Sequence, residues 1–262
     1  PAIYIALDQS RRAEVCRCLK WFRHRAAGDQ GNSNRAYQQC LNRAFHNHPY
    51  AFPQIIAQVA KIPRIKNAPK IYKCSGTPSD CIIFGMTQIL DSPPNLVLTG
   101  INHGMNVADD ILYSGTVAGA MEASLLGVPA IALSQRHGRN DPIDYAASRL
   151  HGTKVICHIL DMGIPQRTVM NVNFPKTNPT EIKGMKAAYL DQHKLGDVIV
   201  SGDAPNHFRL GPLHSDPKTS PGSDRAVLND GWISLTPLMM DVTSHQTLGQ
   251  VTLLDFSASK QT

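Results

Sequence analysis

The sequence lacks the features that mark membrane proteins, disulfide-bonded proteins and the common nucleotide-binding motifs. No apolar run approaches the roughly 18 residues of a membrane-spanning helix, and the N-terminus has no signal-peptide core, so we expect a cytoplasmic protein with no membrane partner. The six cysteines form no CxxC pair and are too sparse for a disulfide scaffold, which predicts buried or incidental thiols. Neither a GKS/GKT phosphate loop nor a GxGxxG segment is present.

The chain is basic, with 26 Lys and Arg against 20 Asp and Glu, and its net charge is +6. The excess lies early, because residues 1–50 hold eight basic and three acidic side chains. Proteins that bind single-stranded nucleic acid usually add aromatic residues for base stacking, and no such pattern accompanies the basic residues here. We therefore interpret the segment as a solvated surface and expect no nucleic-acid partner; a steeply salt-dependent affinity for DNA or RNA would favour the alternative.

Residues 95–134 predict one strand–loop–helix–strand unit. An apolar strand at 96–98 leads into a loop rich in Gly, Asn and Asp, and a second apolar strand follows at 130–133. Between them a helix begins at 114–116, and its predicted buried stripe consists of Val117, Met121, Leu125 and Val128. Such units bind ligands outside the carboxyl ends of their strands, so the loop between Gly100 and Thr116 is the predicted rim of an active site.

The rest of the chain extends this pattern. Residues 3–7 and 169–175 predict strands, Thr77 and Pro78 predict a helix start, and residues 145–162 predict another helix. From residue 191 the pattern changes to short apolar pieces broken by Gly and Pro. We therefore predict an α/β domain with a mostly parallel sheet over residues 1–190 and a smaller β-rich extension over residues 191–262. The broken apolar pieces of the extension predict an interface and at least a dimer.

The loop and the helix start carry the predicted chemistry. Asn102 follows a strand, so its side-chain oxygen can bind a hard cation or a ligand hydroxyl in the crevice, and Gly104 lets a ligand approach the backbone. Free N–H groups at Ser114, Gly115 and Thr116 are suited to phosphate, and a bulky residue at position 115 is expected to exclude the anion. The alternative is that the two hydroxyl residues only cap the helix.

Four blocks of sequence together resemble the SurE family (survival protein E), whose members are metal-dependent nucleotidases. They cover roughly residues 72–250 and occur in the family's order. The blocks are GTPSDC at 76–81, the loop and helix at 99–134, NVNFP at 171–175, and SDRAV with GWISLTPL at 223–238.

The resemblance implies a fold, an activity and a set of site residues. The fold is a Rossmann-like α/β domain with helices on both faces of the sheet and a C-terminal extension used to form dimers or tetramers. The activity is hydrolysis of nucleoside monophosphates with one divalent metal ion per subunit, most commonly Mg²⁺ or Mn²⁺. The implied metal ligands are Asp8, Asn102 and a residue of the loop at 28–34, for which Ser33 and Asn32 are the candidates. Asp8 and Asn102 would also be catalytic, and the phosphate would be held by Asn106 and residues 114–116.

The N-terminal part departs from the family's pattern. Gln9 occupies the position of a second acid after Asp8, and residues 9–70 show no further resemblance. Loss of a carboxylate weakens a hard-cation site, so one hypothesis is a phosphate- or nucleotide-binding relative with weakened catalysis. The other is a compensated change of reading frame across this stretch. The general base also stays open between Asp8, a metal-bound hydroxide and His103.

Overall fold

The structure is a computed structural model that describes residues 3–6, 59–61, 72–138, 144–192, 199–210 and 218–251. Its strands are β1 (Ile3–Ala6), β2 (Val59–Lys61), β3 (Tyr72–Cys74), β4 (Leu96–His103), β5 (Ala130–Gln135), β6 (Thr168–Phe174), β7 (Met185–Ala187), β8 (Ile199–Ser201), β9 (Phe208–Leu210) and β10 (Ile233–Met239). Its α-helices are α1 (Pro78–Phe84), α2 (Gly115–Leu125), α3 (Ala146–Met162), α4 (Asp224–Asn229) and α5 (His245–Leu248). A π-helical turn follows α1 at Gly85–Ile89, and 3₁₀ turns lie at Ala108–Tyr113 and Pro179–Glu181.

Six strands form the central sheet in the order β1-β4-β5-β6-β10-β7. Strands β4, β5 and β6 are parallel neighbours, and β10 is parallel to β7. The predicted α/β class with a mostly parallel sheet is confirmed. Because β4, β5 and β6 run in one direction, their carboxyl ends meet at a single edge, which we call the carboxyl edge.

Two pairings of the sheet, β1 with β4 at one edge and β6 with β10 further along, are antiparallel. Strand β10 lies antiparallel to β6, and β1 lies antiparallel to β4 with Ala6 opposite Leu96. Strand β1 therefore ends at the amino end of β4, on the side of the sheet away from Asn102. Asp8, which follows β1 in the sequence, lies outside the described residues, as does Ser33.

Helices cover both faces of the sheet. Helix α3 packs on one face through Val155, Ile156 and Ile159, which contact the apolar side chains of alternate strand positions. Helices α1 and α2 cover the other face, where Ile82 and Val117 are fully buried. Strands β4, β5 and β6 are mostly apolar in sequence because both of their faces are covered.

The predicted buried stripe of α2 is partly wrong. Val117 is buried as expected, but Leu125 is 54% exposed, and Ala120 and Ala123 form the buried surface instead. The reason is close packing. A Cβ atom added at Gly119 would lie 3.2 Å from Cβ of Pro78 and 3.3 Å from Cγ2 of Thr99, so only small side chains fit between the helix and its neighbours.

The C-terminal residues contribute to the same sheet. Strand β10 crosses next to β6, and helix α4 precedes it with Val227 and Leu228 buried. Strands β8 and β9 form a separate antiparallel hairpin whose Ile199 and Phe208 are exposed. The domain boundary at residue 190 stays a prediction. Within the described residues, no helix has the length and apolar character needed to cross a membrane.

Candidate active site

The helix start at residue 114 lies at the carboxyl edge and is held there by two neighbouring elements. The hydroxyl of Thr99 on β4 donates a hydrogen bond of 2.7 Å to the carbonyl oxygen of Thr116. Helix α1 packs beside it, and the start of α1 is fixed by a capping box in which Thr77 and Asp80 each bond to the other's backbone N–H. This confirms the predicted cap at Thr77 with Pro78 at the first helical position.

Ser114 caps α2, since its hydroxyl accepts a hydrogen bond of 3.1 Å from the N–H of Val117. Ser114 therefore has the capping role that was given above as the alternative to phosphate binding. Capping uses only one of the free N–H groups of the first turn, and those of Gly115 and Thr116 have no acceptor among the described residues. The helix start keeps two donors directed at the edge where the strands end, which is the arrangement that binds an anion.

Gly115 does not face the crevice in the way the sequence suggested. A Cβ atom added there would lie 3.1 Å from Cγ of Pro78, so a side chain at this position would press on α1. A bulky substitution would disturb the packing of the two helices before it filled an anion site. The expectation that such a residue excludes the anion stays a prediction. Even the Cβ of alanine requires Pro78 to shift by a few tenths of an ångström.

Asn102 is partly buried near the end of β4, as the sequence predicts. Its amide nitrogen donates a hydrogen bond of 3.1 Å to the carbonyl oxygen of Gly104. This bond fixes the orientation of the amide, because the oxygen Oδ1 must then point away from Gly104. Among the described residues none donates a hydrogen bond to that oxygen, so it is available to a cation or a ligand.

A row of polar side chains crosses the carboxyl edge. Asn102 on β4, Ser134 on β5, Asn173 on β6 and Ser234 on β10 are paired in register from strand to strand. The last three are fully buried. Buried polar groups normally require hydrogen-bond partners. Ser134 and Asn173 find them in the loop that follows β4, whereas the hydroxyl of Ser234 has no partner among the described residues.

Asn106 lies at the centre of that loop and is 7% exposed. Its backbone N–H donates to Oδ1 of Asn173 at 2.8 Å, and its carbonyl oxygen accepts from Asn171 and Asn173 at 2.9 and 3.0 Å. Its own amide nitrogen donates to the hydroxyl of Ser134 at 2.7 Å. These four bonds attach the loop to β5 and β6, and they leave the second hydrogen of the Asn106 amide for another acceptor.

Asp224 attaches the same loop to the C-terminal part of the chain. Its carboxylate is fully buried and accepts hydrogen bonds from the N–H groups of Ala108 at 2.9 Å, Asp191 at 3.1 Å and Arg225 at 2.8 Å. Burial raises the pKa of Asp224, while the three N–H donors act in the opposite direction. The side chain of Arg225 forms a buried ion pair of 3.4 Å with Asp191, which lies beside this carboxylate.

Two histidines stack at the rim of the same edge. The rings of His103, at the end of β4, and His137, just after β5, have centroids 3.7 Å apart and planes that differ by 11°. Nδ1 of His137 donates to the carbonyl oxygen of Gly138 at 2.7 Å, which fixes this ring. His103 is exposed, and partial burial together with the charge of His137 lowers its pKa.

The described residues fit a divalent cation only in part. Asn102 presents a free amide oxygen, which is a ligand that hard cations accept. The described part of the chain holds no cluster of three or more His, Cys, Asp or Glu side chains that could bind a metal. The other two predicted ligands, Asp8 and Ser33, lie outside it, and β1 ends at the sheet edge opposite Asn102.

Comparison with known proteins identifies the family. The family model described as survival protein SurE matches residues 35–197. The chain belongs to the SurE family. The protein named 5'-nucleotidase SurE from Methylocella silvestris is 42% identical over 186 residues, which are 68% of this chain and 73% of that protein. Its counterpart from Brucella suis is 39% identical over 184 residues, covering 67% of this chain and 71% of that protein. The crystal structure of the SurE protein from Aquifex aeolicus has a TM-score of 0.63 and 28% identity, covering 84% of this chain and 93% of that one.

The match corrects one interpretation made from the sequence. Residues 9–70 showed no resemblance to SurE proteins by motif, yet the family model matches from residue 35 onward. The departure from the SurE pattern is therefore shorter than expected.

Three features of this SurE site were missed in the sequence. The roles of Asn171 and Asn173 had a signal, because two asparagines separated by one residue in an apolar strand place two polar groups on one buried face. Asp224 comes directly after Ser223, which caps a helix, and acids are common at this position. Nothing in the sequence therefore indicated that Asp224 accepts a hydrogen bond from Ala108. The stacking of His103 on His137 had no sequence signal, because 33 residues separate them.

Proposed function

We propose that this protein hydrolyses nucleoside monophosphates to nucleosides and inorganic phosphate, with a divalent metal ion. The observation that carries the proposal is the match to proteins named 5'-nucleotidase SurE at about 40% identity over two thirds of the chain. The geometry supports it, because the free oxygen of Asn102 and the free N–H groups of α2 lie at one edge of the sheet. These names also favour an enzyme over a relative that only binds phosphate or nucleotides. A cytoplasmic location stays a prediction.

In this proposal Asn102 would hold one Mg²⁺ or Mn²⁺, and Asp8 together with Ser33 or Asn32 would complete the ligand set implied by the family. Such an ion polarises a phosphoryl group and lowers the pKa of a bound water. The hydrogen bond from the Asn102 amide to Gly104 holds its oxygen in place for this role. Strand β1 ends beside Leu96, so the role of Asp8 is tested directly. Asp8→Ala should bind Mn²⁺ more weakly than the wild type in calorimetry, and an unchanged affinity would remove Asp8 from the ligand set.

The phosphate in this proposal lies at the start of α2. The N–H groups of Gly115 and Thr116 donate to its oxygens, and the unused amide hydrogen of Asn106 adds a further donor. The loop is held in place by hydrogen bonds that Asn171 and Asn173 donate to Asn106 and that Asp224 accepts from Ala108, so these donors keep their positions. Donors that are already oriented stabilise the charge that builds up on the phosphoryl oxygens without rearrangement of the site.

The activity is tested by phosphate release from AMP and GMP in protein treated with chelator, before and after addition of Mn²⁺ or Mg²⁺. The proposal expects release that depends on the added metal. Nucleotide binding without any release in either metal would instead support the binding-only alternative. Equal release in the presence of chelator would remove the metal from the reaction.

We predict that Gly115→Pro weakens competitive inhibition by inorganic phosphate, whereas Gly115→Ala does so much less. Proline is tolerated at the first position of a helix but has no N–H, and Ser114 already has the extended conformation that a following proline requires. Both variants place a Cβ atom against Pro78, so their difference reports the replacement of the N–H group by the ring carbon of proline. A hydrogen bond to a charged group contributes about 1.5–3 kcal/mol, which corresponds to a rise of roughly 10- to 100-fold in the inhibition constant.

The two variants also separate anion binding from capping. If the first turn of α2 only caps the helix, Gly115→Pro and Gly115→Ala have equal inhibition constants while both remain folded by circular dichroism. That outcome would remove the N–H of Gly115 from the phosphate site.

We further predict a homodimer or a larger homo-oligomer. Several apolar side chains of the C-terminal extension are exposed in the single chain, which is typical of an interface: Ile199, Phe208, Val242, Leu248 and Val251. Light scattering should therefore give a mass at least twice the 28.6 kDa of the chain at micromolar concentration. A mass of one chain under these conditions would contradict the prediction. Phe208→Asp should lower the measured mass, whereas the control variant Arg209→Asp, at an exposed polar position, should leave it unchanged.

A further inference from the structure

We propose that His103 and His137 form the subsite for the base of the nucleotide substrate, with the base stacked on the outer face of His103. The inference rests on the proposed nucleotidase function and adds to it the group that recognises the nucleoside. It starts from the parallel stack of the two rings at 3.7 Å, which lies at the rim of the carboxyl edge beside Asn102.

The stack has one fixed ring and one open ring. His137 is half-buried, and its Nδ1 is bonded to the carbonyl oxygen of Gly138, so it provides a rigid backing. His103 lies parallel on it and is exposed, so its other face is available to a ligand. A planar aromatic base placed on that face would continue the stack, and bases of any kind are bound in this way because each has an aromatic face.

Gly104 connects the stack to the proposed reaction centre. A Cβ atom placed on Gly104 would lie 3.7 Å from the amide nitrogen of Asn102 and 3.8 Å from Nε2 of His137, and apart from its chain neighbours it would meet no other described residue within 4 Å. Asn102 and His137 therefore border the same open space above this glycine. Its φ of +117° further disfavours any side chain there. A sugar ring can lie over Gly104, with its phosphate toward Asn102 and its base on His103.

The experiment compares AMP with ribose 5-phosphate, which has the same ester and sugar but no base. The wild type should prefer AMP in kcat/KM. His103→Ala should lower the ratio of the two kcat/KM values about tenfold, mainly through a higher KM for AMP, because stacking contributes to binding. His103→Phe keeps an aromatic face and should retain most of the ratio. His158→Ala changes an exposed histidine on α3 and should leave the ratio as in the wild type.

Several results would overturn the subsite. An unchanged ratio in His103→Ala would show that the base does not use this ring. An equal loss for both substrates would assign His103 to the reaction rather than to the base. Failure of His103→Phe to retain the ratio would exclude stacking as the interaction. A wild type that releases no phosphate from either substrate with Mn²⁺ would refute the nucleotidase, whereas equal rates on both would refute only the base subsite.

Discussion

Asn102→Ala is expected to lower metal-dependent phosphate release from AMP by at least about 100-fold while the protein stays folded. Loss of groups that merely orient a metal ligand already costs roughly 10- to 100-fold, and here the proposed ligand itself is removed. The stability cost should be small, on the order of 1 kcal/mol, because Asn102 is only partly buried and makes one hydrogen bond, to Gly104. Steady-state rates across a Mn²⁺ titration and a thermal melt measure the two effects.

Two further variants sharpen this test. Asn102→Asp restores an oxygen and adds charge, but it also places an oxygen against the carbonyl of Gly104, so we expect an activity between those of wild type and alanine. Asn95→Ala is a matched control, since Asn95 is exposed at the other end of the same strand. An Asn102→Ala protein with wild-type turnover and wild-type metal dependence would remove this residue from the site.

Asp224→Ala is expected to give the largest loss of stability, about 3 kcal/mol or more in the free energy of unfolding. The substitution leaves the N–H groups of Ala108, Asp191 and Arg225 buried without their acceptor, and each unsatisfied group costs about 1–3 kcal/mol. Urea denaturation measures the loss. Asp230→Asn, at an exposed position just after α4, should stay within about 0.5 kcal/mol of wild type.

Asp224→Asn distinguishes the hydrogen bond to the loop from the two hydrogen bonds near helix α4. The amide can keep an oxygen for Asp191 and Arg225 but then turns an N–H toward the N–H of Ala108, which frees the loop at that point. The stability loss should be smaller than for alanine, because the amide oxygen still accepts from Asp191 and Arg225 and fewer buried N–H groups lose their acceptor. We expect a higher KM for AMP as the loop loosens. Wild-type stability of Asp224→Ala would contradict the role assigned to this carboxylate.

The sequence predicted the elements around the site because their signals are local. Helix α2 begins at its predicted cap, α1 begins after Thr77, and α3 ends at the predicted Met162. Apolar runs at β4, β5 and β6 indicated strands buried on both faces, which is the arrangement of a parallel sheet under helices. The capping hydroxyl of Ser114 and the position of Asn102 at a strand end were also readable from neighbouring residues.

The contacts between distant segments were decided only by the tertiary structure. Asp224 reaches Ala108 across 116 positions, and Asn173 reaches Asn106 across 67, so no local pattern could pair them. The small residues on the buried side of α2 depend on how close α1 and β4 approach, which hydrophobic spacing does not encode. The positions of strands, helices and caps could be predicted along the chain, because these elements depend on periodicity and local hydrogen bonds. The loop, β6 and α4 come together only in the folded protein, because the hydrogen bonds between them join residues that are far apart in the sequence.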